Sequence, residues 1–328
     1  MITTTKDRDA AARPTYRPNP GLPRRPRYFV TDGGLETSLV FDAGLDLPEF
    51  AAFPLLDTLE GRETLRRYYQ QYLDIAVDAD CGFVFETPTW RASSDWGEKL
   101  GYDTIDLRRV NKASVELVKQ VAASNLFGGA SLRISGCVGP RGDGYRIDQR
   151  LDTDAAQAYH YEQIAALADA GVDYVTATTM TTSQEAIGVA RAAASLAIPC
   201  VISFTVETDG TLPSGQGLGE AISQVDAETD GAPAWFMINC AHPSHFAEQL
   251  DVWQLWTSRI GGLRANASCK SHAELDQATE LDAGDPHDLA KQYADICGRL
   301  PNIRVLGGCC GTDHRHVEAI ANQIIRNG

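Results

Sequence analysis

No apolar run in this 328-residue chain approaches the roughly 20 residues that span a bilayer, so no membrane-crossing helix is expected. Basic residues are scarce. The 29 Lys and Arg face 44 Asp and Glu, for a formal charge of −15, which argues against nucleic acid and anionic membranes as partners. The eight cysteines lack the spacing of a small disulfide-stapled domain. Residues 1–27 are polar, rich in Arg and Pro, and without the apolar segment of a secretory signal. A reducing cytoplasm is the expected compartment. No glycine-rich phosphate loop follows the first strand-like run, which counts against a dinucleotide-binding domain. No lysine stands at a strand end where a Schiff-base aldolase would need one.

What is present is a rhythm. Short apolar runs end in small or polar residues at Tyr28–Thr31, Gly82–Phe85, Leu132–Ser135, Tyr174–Ala177, Val201–Phe204, Trp235–Ile238, Gly262–Ala265 and Ile303–Leu306. Helical patterns lie between them, at Leu65–Asp78, Leu107–Ala123, Asp154–Ala170, Ser183–Leu196, Glu220–Glu228, Ser244–Leu250 and Pro286–Leu300, with a last one from Asp313 to Asn327. Eight strand–helix units over about 300 residues predict a (β/α)8 barrel from residue 28 to 328, with a doubly wound open sheet as the alternative. Residues 1–27 read as a flexible arm, or as one that packs on a neighbouring subunit of a homo-oligomer.

Reactive side chains of such barrels gather at the C-terminal strand ends. There stands Gly307-Gly308-Cys309-Cys310-Gly311-Thr312 after the last run, and Asn239-Cys240 after the sixth. Adjacent strand residues point to opposite faces, so the flanking glycines are needed if both sulfurs are to converge. A disulfide between neighbours 309 and 310 would be strained. Buried, inert cysteines are the plain alternative. Three converging thiolates suit zinc and leave a tetrahedral ion one open position, as a catalytic site requires.

Asn239-Cys240 together with Gly-Gly-Cys-Cys-Gly-Thr resembles the homocysteine S-methyltransferase family, over roughly residues 28–326. The resemblance implies the same barrel, with zinc held by Cys240, Cys309 and Cys310, and a metal-held thiol attacking a donor methyl group. Asp32-Gly33-Gly34-Leu35-Glu36-Thr37 is similar to the family's first-strand motif, implying that Asp32 and the backbone at Gly33 lie against the homocysteine amino-acid moiety. Read without the family, Asp-Gly-Gly is a turn. Glu86-Thr87-Pro88-Thr89-Trp90 is similar to the second-strand segment, placing Glu86 at the substrate; Trp90 is either packing or a face for a cationic donor. Ser135 to Pro140 is similar to the third-strand turn, with Cys137 read as structural. Asn239 completes the implied substrate contacts.

Two departures stand out. Where the resemblance implies a Glu at the end of strand four, facing the substrate amino group, this chain has Thr178, which brings no charge. The segment Ala265 to Asp276 replaces the family's Pro-Asn loop after strand seven. His242, His245, His314 and His316 read as helix-start or surface residues. The expectation is a zinc-dependent methyltransferase making methionine from homocysteine, with S-methylmethionine or S-adenosylmethionine as donor. The alternatives are another thiol, a betaine or corrinoid-protein donor, or a zinc-binding barrel without catalysis.

Overall fold

The eight apolar runs become eight parallel strands in a computed structural model that describes residues 22–124, 129–147 and 151–326. They are β1 Phe29–Val30, β2 Gly82–Glu86, β3 Leu132–Val138, β4 Tyr174–Met180, β5 Cys200–Phe204, β6 Trp235–Asn239, β7 Ile260–Ala265 and β8 Val305–Gly308. Each pairs with the next, and β8 returns to β1 through Phe29 opposite Val305, closing the barrel. The open-sheet alternative is thereby excluded.

The period of two along each strand sorts the side chains. Val30, Phe83, Val175, Ile202, Phe236, Leu263 and Leu306 pack outward with the helices. Phe29, Val84, Tyr174, Val201, Trp235, Met237 and Val305 point inward and form their own cluster at the N-terminal end of the barrel. Leu22 joins that cluster. Arg304 holds the chain there by donating to the carbonyls of Pro23 (2.6 Å), Pro26 (2.8 Å) and Arg27 (2.8 Å). The last six residues of the expected arm are therefore seated against the barrel; residues 1–21 lie outside the described residues.

The helix Leu59–Asp78 shows how an outer element serves the interior. Thr58 caps it, accepting from the Gly61 amide at 3.0 Å. Its buried residues Leu65, Tyr68, Tyr69, Tyr72, Leu73 and Ala76 recur at helical spacing on one face. Two expected helices are shorter than their patterns. The helix at 244–250 is one turn, Pro243–Phe246, followed by a 3-10 turn, Ala247–Gln249. The last is His314–Ala321, capped by Asp313 as expected, followed by a π turn, Asn322–Arg326. No helix among the described residues is long and apolar enough to cross a membrane.

Candidate active site

Above the apolar cluster, the inward positions turn polar: Glu86 on β2, Ser135 on β3, Thr176 and Thr178 on β4, Ser203 on β5, and Arg264 on β7. Of these, Glu86, Thr178 and Arg264 line a cavity of about 400 Å³ at the C-terminal end of the barrel. Asp32, Gly33, Glu36, Trp90, Tyr145 and the three cysteines also line it.

The Sγ atoms of Cys240, Cys309 and Cys310 lie within 4.8 Å of one another. Cys240 and Cys310 are 4.0 Å apart, while Cys240 and Cys309 are in disulfide contact. Cys240 leaves β6 with φ of 52°, a left-handed backbone that turns its sulfur toward the end of β8. Thr179, with φ of 63°, is a β-branched residue in the same region. Asn239 holds it there, accepting from the Thr179 amide at 2.9 Å and donating to its hydroxyl at 2.8 Å. The Asn239 oxygen also accepts from Ser203 at 2.6 Å, so this fully buried amide is occupied within the protein. Strain of this kind costs about 1–3 kcal/mol and persists where surrounding contacts enforce it.

Tyr145 reaches the cysteines from the loop after β3, its hydroxyl 3.3 Å from Cys310 Sγ. That loop is fixed by the Arg141 amide donating to Glu185 at 2.7 Å and the Arg141 side chain donating to Asp95 at 2.7 Å. The Tyr145 ring stacks on His272 at 4.1 Å, and His272 in turn bonds the Cys240 carbonyl at 2.7 Å. Burial raises the Cys310 thiol pKa, against the lowering effect of the Tyr145 hydroxyl. A cation beside a thiol so disposed favours its thiolate.

Asp32 is 2% exposed and both its oxygens are engaged. Arg264 donates to one at 2.7 Å and the Tyr68 hydroxyl to the other at 3.0 Å. Arg264 also donates to the carbonyls of Gly33 (3.1 Å) and Gly308 (3.0 Å), tying β7 to the ends of β1 and β8. Gly33 admits no side chain, since a Cβ would stand 2.7 Å from the Thr312 carbonyl. Glu86 is 5% exposed and its Oε2 has no hydrogen-bond partner. Burial lifts its pKa to about 7, and that of Glu36 to about 7 as well. The Thr178 hydroxyl makes long contacts of 3.4 Å to Cys137 Sγ and the Thr176 carbonyl, and the Trp90 indole donates to the Thr178 carbonyl at 3.4 Å. Trp90 lines the cavity with Arg91 against its ring at 4.3 Å.

The family model described as homocysteine S-methyltransferase matches residues 29–324. The chain belongs to this family. Methionine synthase from Mycobacterium leprae (strain TN) is 25% identical over 314 residues, covering 92% of this chain and 24% of that protein. Betaine–homocysteine S-methyltransferase 1 from Rattus norvegicus is 25% identical over 325 residues, covering 90% of this chain and 72% of that protein. The chain thus spans about a quarter of the first and most of the second. Among solved structures, the metallated form of the Escherichia coli homocysteine methyltransferase MmuM has a TM-score of 0.70 at 22% identity, covering 92% of this chain and 97% of that one. Its oxidized form has a TM-score of 0.69 at 23% identity, covering 90% and 96%. At these identities the structural likeness establishes the fold.

Three site residues were not expected from the sequence, Arg264, Tyr68 and Tyr145, whereas His272 lies in the Ala265 to Asp276 segment that departs from the family pattern. Arg264 had a signal, an arginine at an inward position of an otherwise apolar strand. Tyr68 and Tyr145 had none, because each arrives from an element distant in sequence. The histidines 242, 245, 314 and 316 stay outside the cysteine cluster; His242 and His316 serve the starts of their helices.

Proposed function

We propose that this chain is a zinc-dependent methyltransferase that moves a methyl group from a sulfonium donor, S-methylmethionine or S-adenosylmethionine, to the thiol of homocysteine, giving methionine. The observation that carries this reading is the convergence of three cysteine sulfurs on one wall of an acidic cavity. The donor set fits the ion. Zinc–sulfur bonds of about 2.3 Å in a tetrahedron set sulfurs about 3.8 Å apart, near the 4.0 Å between Cys240 and Cys310. Occupancy by the ion and the contact between Cys240 and Cys309 exclude one another. When bound, zinc supplies the positive charge that holds an acceptor thiol as thiolate at neutral pH.

The chain's own residues do the rest. The Asn239 clamp on Thr179 and the His272 bond to the Cys240 carbonyl fix where the sulfur of Cys240 points. Tyr145, on its pinned loop, sets a hydroxyl beside the sulfur of Cys310. The acidic residues suit a cation: Arg91 and Arg264 are matched by Asp143 at 3.9 Å and Asp32 at 2.7 Å. Glu36, Glu86, Asp276 and Glu280 line the same cavity and form no ion pair among the described residues. A sulfonium and a thiolate react to two neutral thioethers. The donor's sulfur–methyl bond breaks with its electron pair kept on that sulfur, and the acceptor's proton leaves to solvent. The attraction that gathers the donor is thereby lost on product formation.

The test is methyl transfer by the zinc-loaded protein, measured for homocysteine against S-methylmethionine, S-adenosylmethionine, betaine and methylfolate. The expected result is turnover with a sulfonium and at least about tenfold less with the others. Turnover with betaine or methylfolate alone would overturn the donor assignment. No transfer from any donor would overturn the reading itself.

A further inference from the structure

An amino-acid thiol brings an ammonium into the cavity, and a partly desolvated ammonium needs a carboxylate. Thr178 offers none. Of the seven carboxylates that line the cavity, three stand on or just beyond β1 and β2: Asp32, Glu36 and Glu86. Asp32 is already compensated, with the Arg264 guanidinium on one oxygen and Tyr68 on the other. An ammonium could bond Asp32 only by displacing one of these two donors. Glu36 stands on the first turn beyond β1 and is half-buried. Glu86 differs from both. It projects inward from the end of β2, is 5% exposed, and leaves Oε2 without a partner. Arg264 donates to Asp32, Gly33 and Gly308 and reaches Glu86 only through its charge, with no hydrogen bond between them. An unpartnered carboxylate oxygen buried in a cavity wall is costly unless a ligand completes it.

We propose that Glu86 receives the ammonium of the amino-acid thiol, and that Arg264 is a specificity-determining residue that has withdrawn Asp32 from that role. The assignment rests on reading the site as one for an amino-acid thiol. The raised pKa of Glu86, about 7, supports it, because burial disfavours the carboxylate charge and an ammonium beside it would favour that charge. Thr178 on β4 contributes a neutral hydroxyl to the same wall.

The experiment compares the product L-methionine with its deaminated analogue, 4-(methylthio)butanoate, by calorimetric binding to the zinc-loaded full chain. The same pair of side chains, with free thiols, then serves as acceptors in kinetic assays. Glu86→Gln keeps shape and removes charge. It should weaken L-methionine by roughly tenfold or more and the analogue by less than about threefold. KM for homocysteine should rise accordingly, with kcat changing less. Adding Thr178→Glu to Glu86→Gln should recover most of the lost L-methionine affinity. Asp32→Asn and Glu36→Gln should affect both ligands alike. Equal losses for both ligands in Glu86→Gln would overturn the proposal. So would a selective loss in Asp32→Asn or Glu36→Gln instead, or no preference of the wild-type protein for L-methionine. If the calorimetric pattern holds while no donor supports methyl transfer, the proposed reaction falls and the ammonium site stands.

Discussion

The two halves of the barrel interior are built by the same eight strands with the same alternation, yet they are opposite in character. The N-terminal half is hydrocarbon and aromatic: Phe29, Tyr174 and Trp235 fill it, closed from below by Leu22. The C-terminal half carries a polar atom at its inward positions, a buried ion pair, a carboxylate with an unpartnered oxygen, and two non-glycine residues with left-handed backbone. The lower half stores stability that the upper half gives up in order to hold charge and strain where chemistry would need them. Such a division makes the two halves separable by mutation.

The largest expected effect is in the lower half. Trp235→Ala should remove about 4 kcal/mol of stability, read by urea denaturation, because a fully buried aromatic leaves a cavity that its neighbours cannot fill. Below its unfolding transition, the variant's KM values should match wild type. Next comes the ion pair. Arg264→Met should cost about 3 kcal/mol by leaving the buried Asp32 without its counter-charge, and adding Asp32→Asn should restore most of it. A double variant no better than the single would mean that the pair is not the unit it appears to be in the fold.

A smaller effect depends on pH. Folding raises the Glu86 pKa from 4.5 to about 7. Between those values the unfolded chain releases a proton that the folded protein keeps, so stability falls as pH rises through that window. Glu86→Gln has no such proton. It should therefore be more stable than wild type at pH 8, by about 2–3 kcal/mol, with the difference vanishing near pH 4. A difference that grew toward acid would contradict the assigned direction. The smallest effect belongs to the arm: deleting residues 2–20, short of the seated segment at Leu22, should change stability by less than about 0.5 kcal/mol.

The comparison also explains what could be read from the sequence. The strands, their order and the cysteine positions were legible, because apolar runs and glycine-flanked cysteines are local patterns. Strand ends were less so: β4 runs on through Thr178 to Met180, since threonines at these positions satisfy both a strand backbone and a polar cavity wall. The partners of Asp32 were not legible. Arg264 lies 232 residues away and Tyr68 sits on the face of a helix that looks, in sequence, like ordinary core packing. The disulfide contact of Cys240 with Cys309, rather than the disfavoured pairing of 309 with 310, likewise depends on β6 and β8 ending at the same level.

Whether the three cysteines hold zinc is decided by metal analysis of the purified chain under reducing conditions, comparing wild type with Cys309→Ser and with substitutions of the buried Cys81, Cys200 and Cys297. About one zinc per chain is expected in wild type and in the three buried-site variants, and less than about a tenth of that in Cys309→Ser. Full zinc retention by Cys309→Ser, or zinc loss on substituting Cys81, Cys200 or Cys297, would contradict zinc binding by the three cysteines.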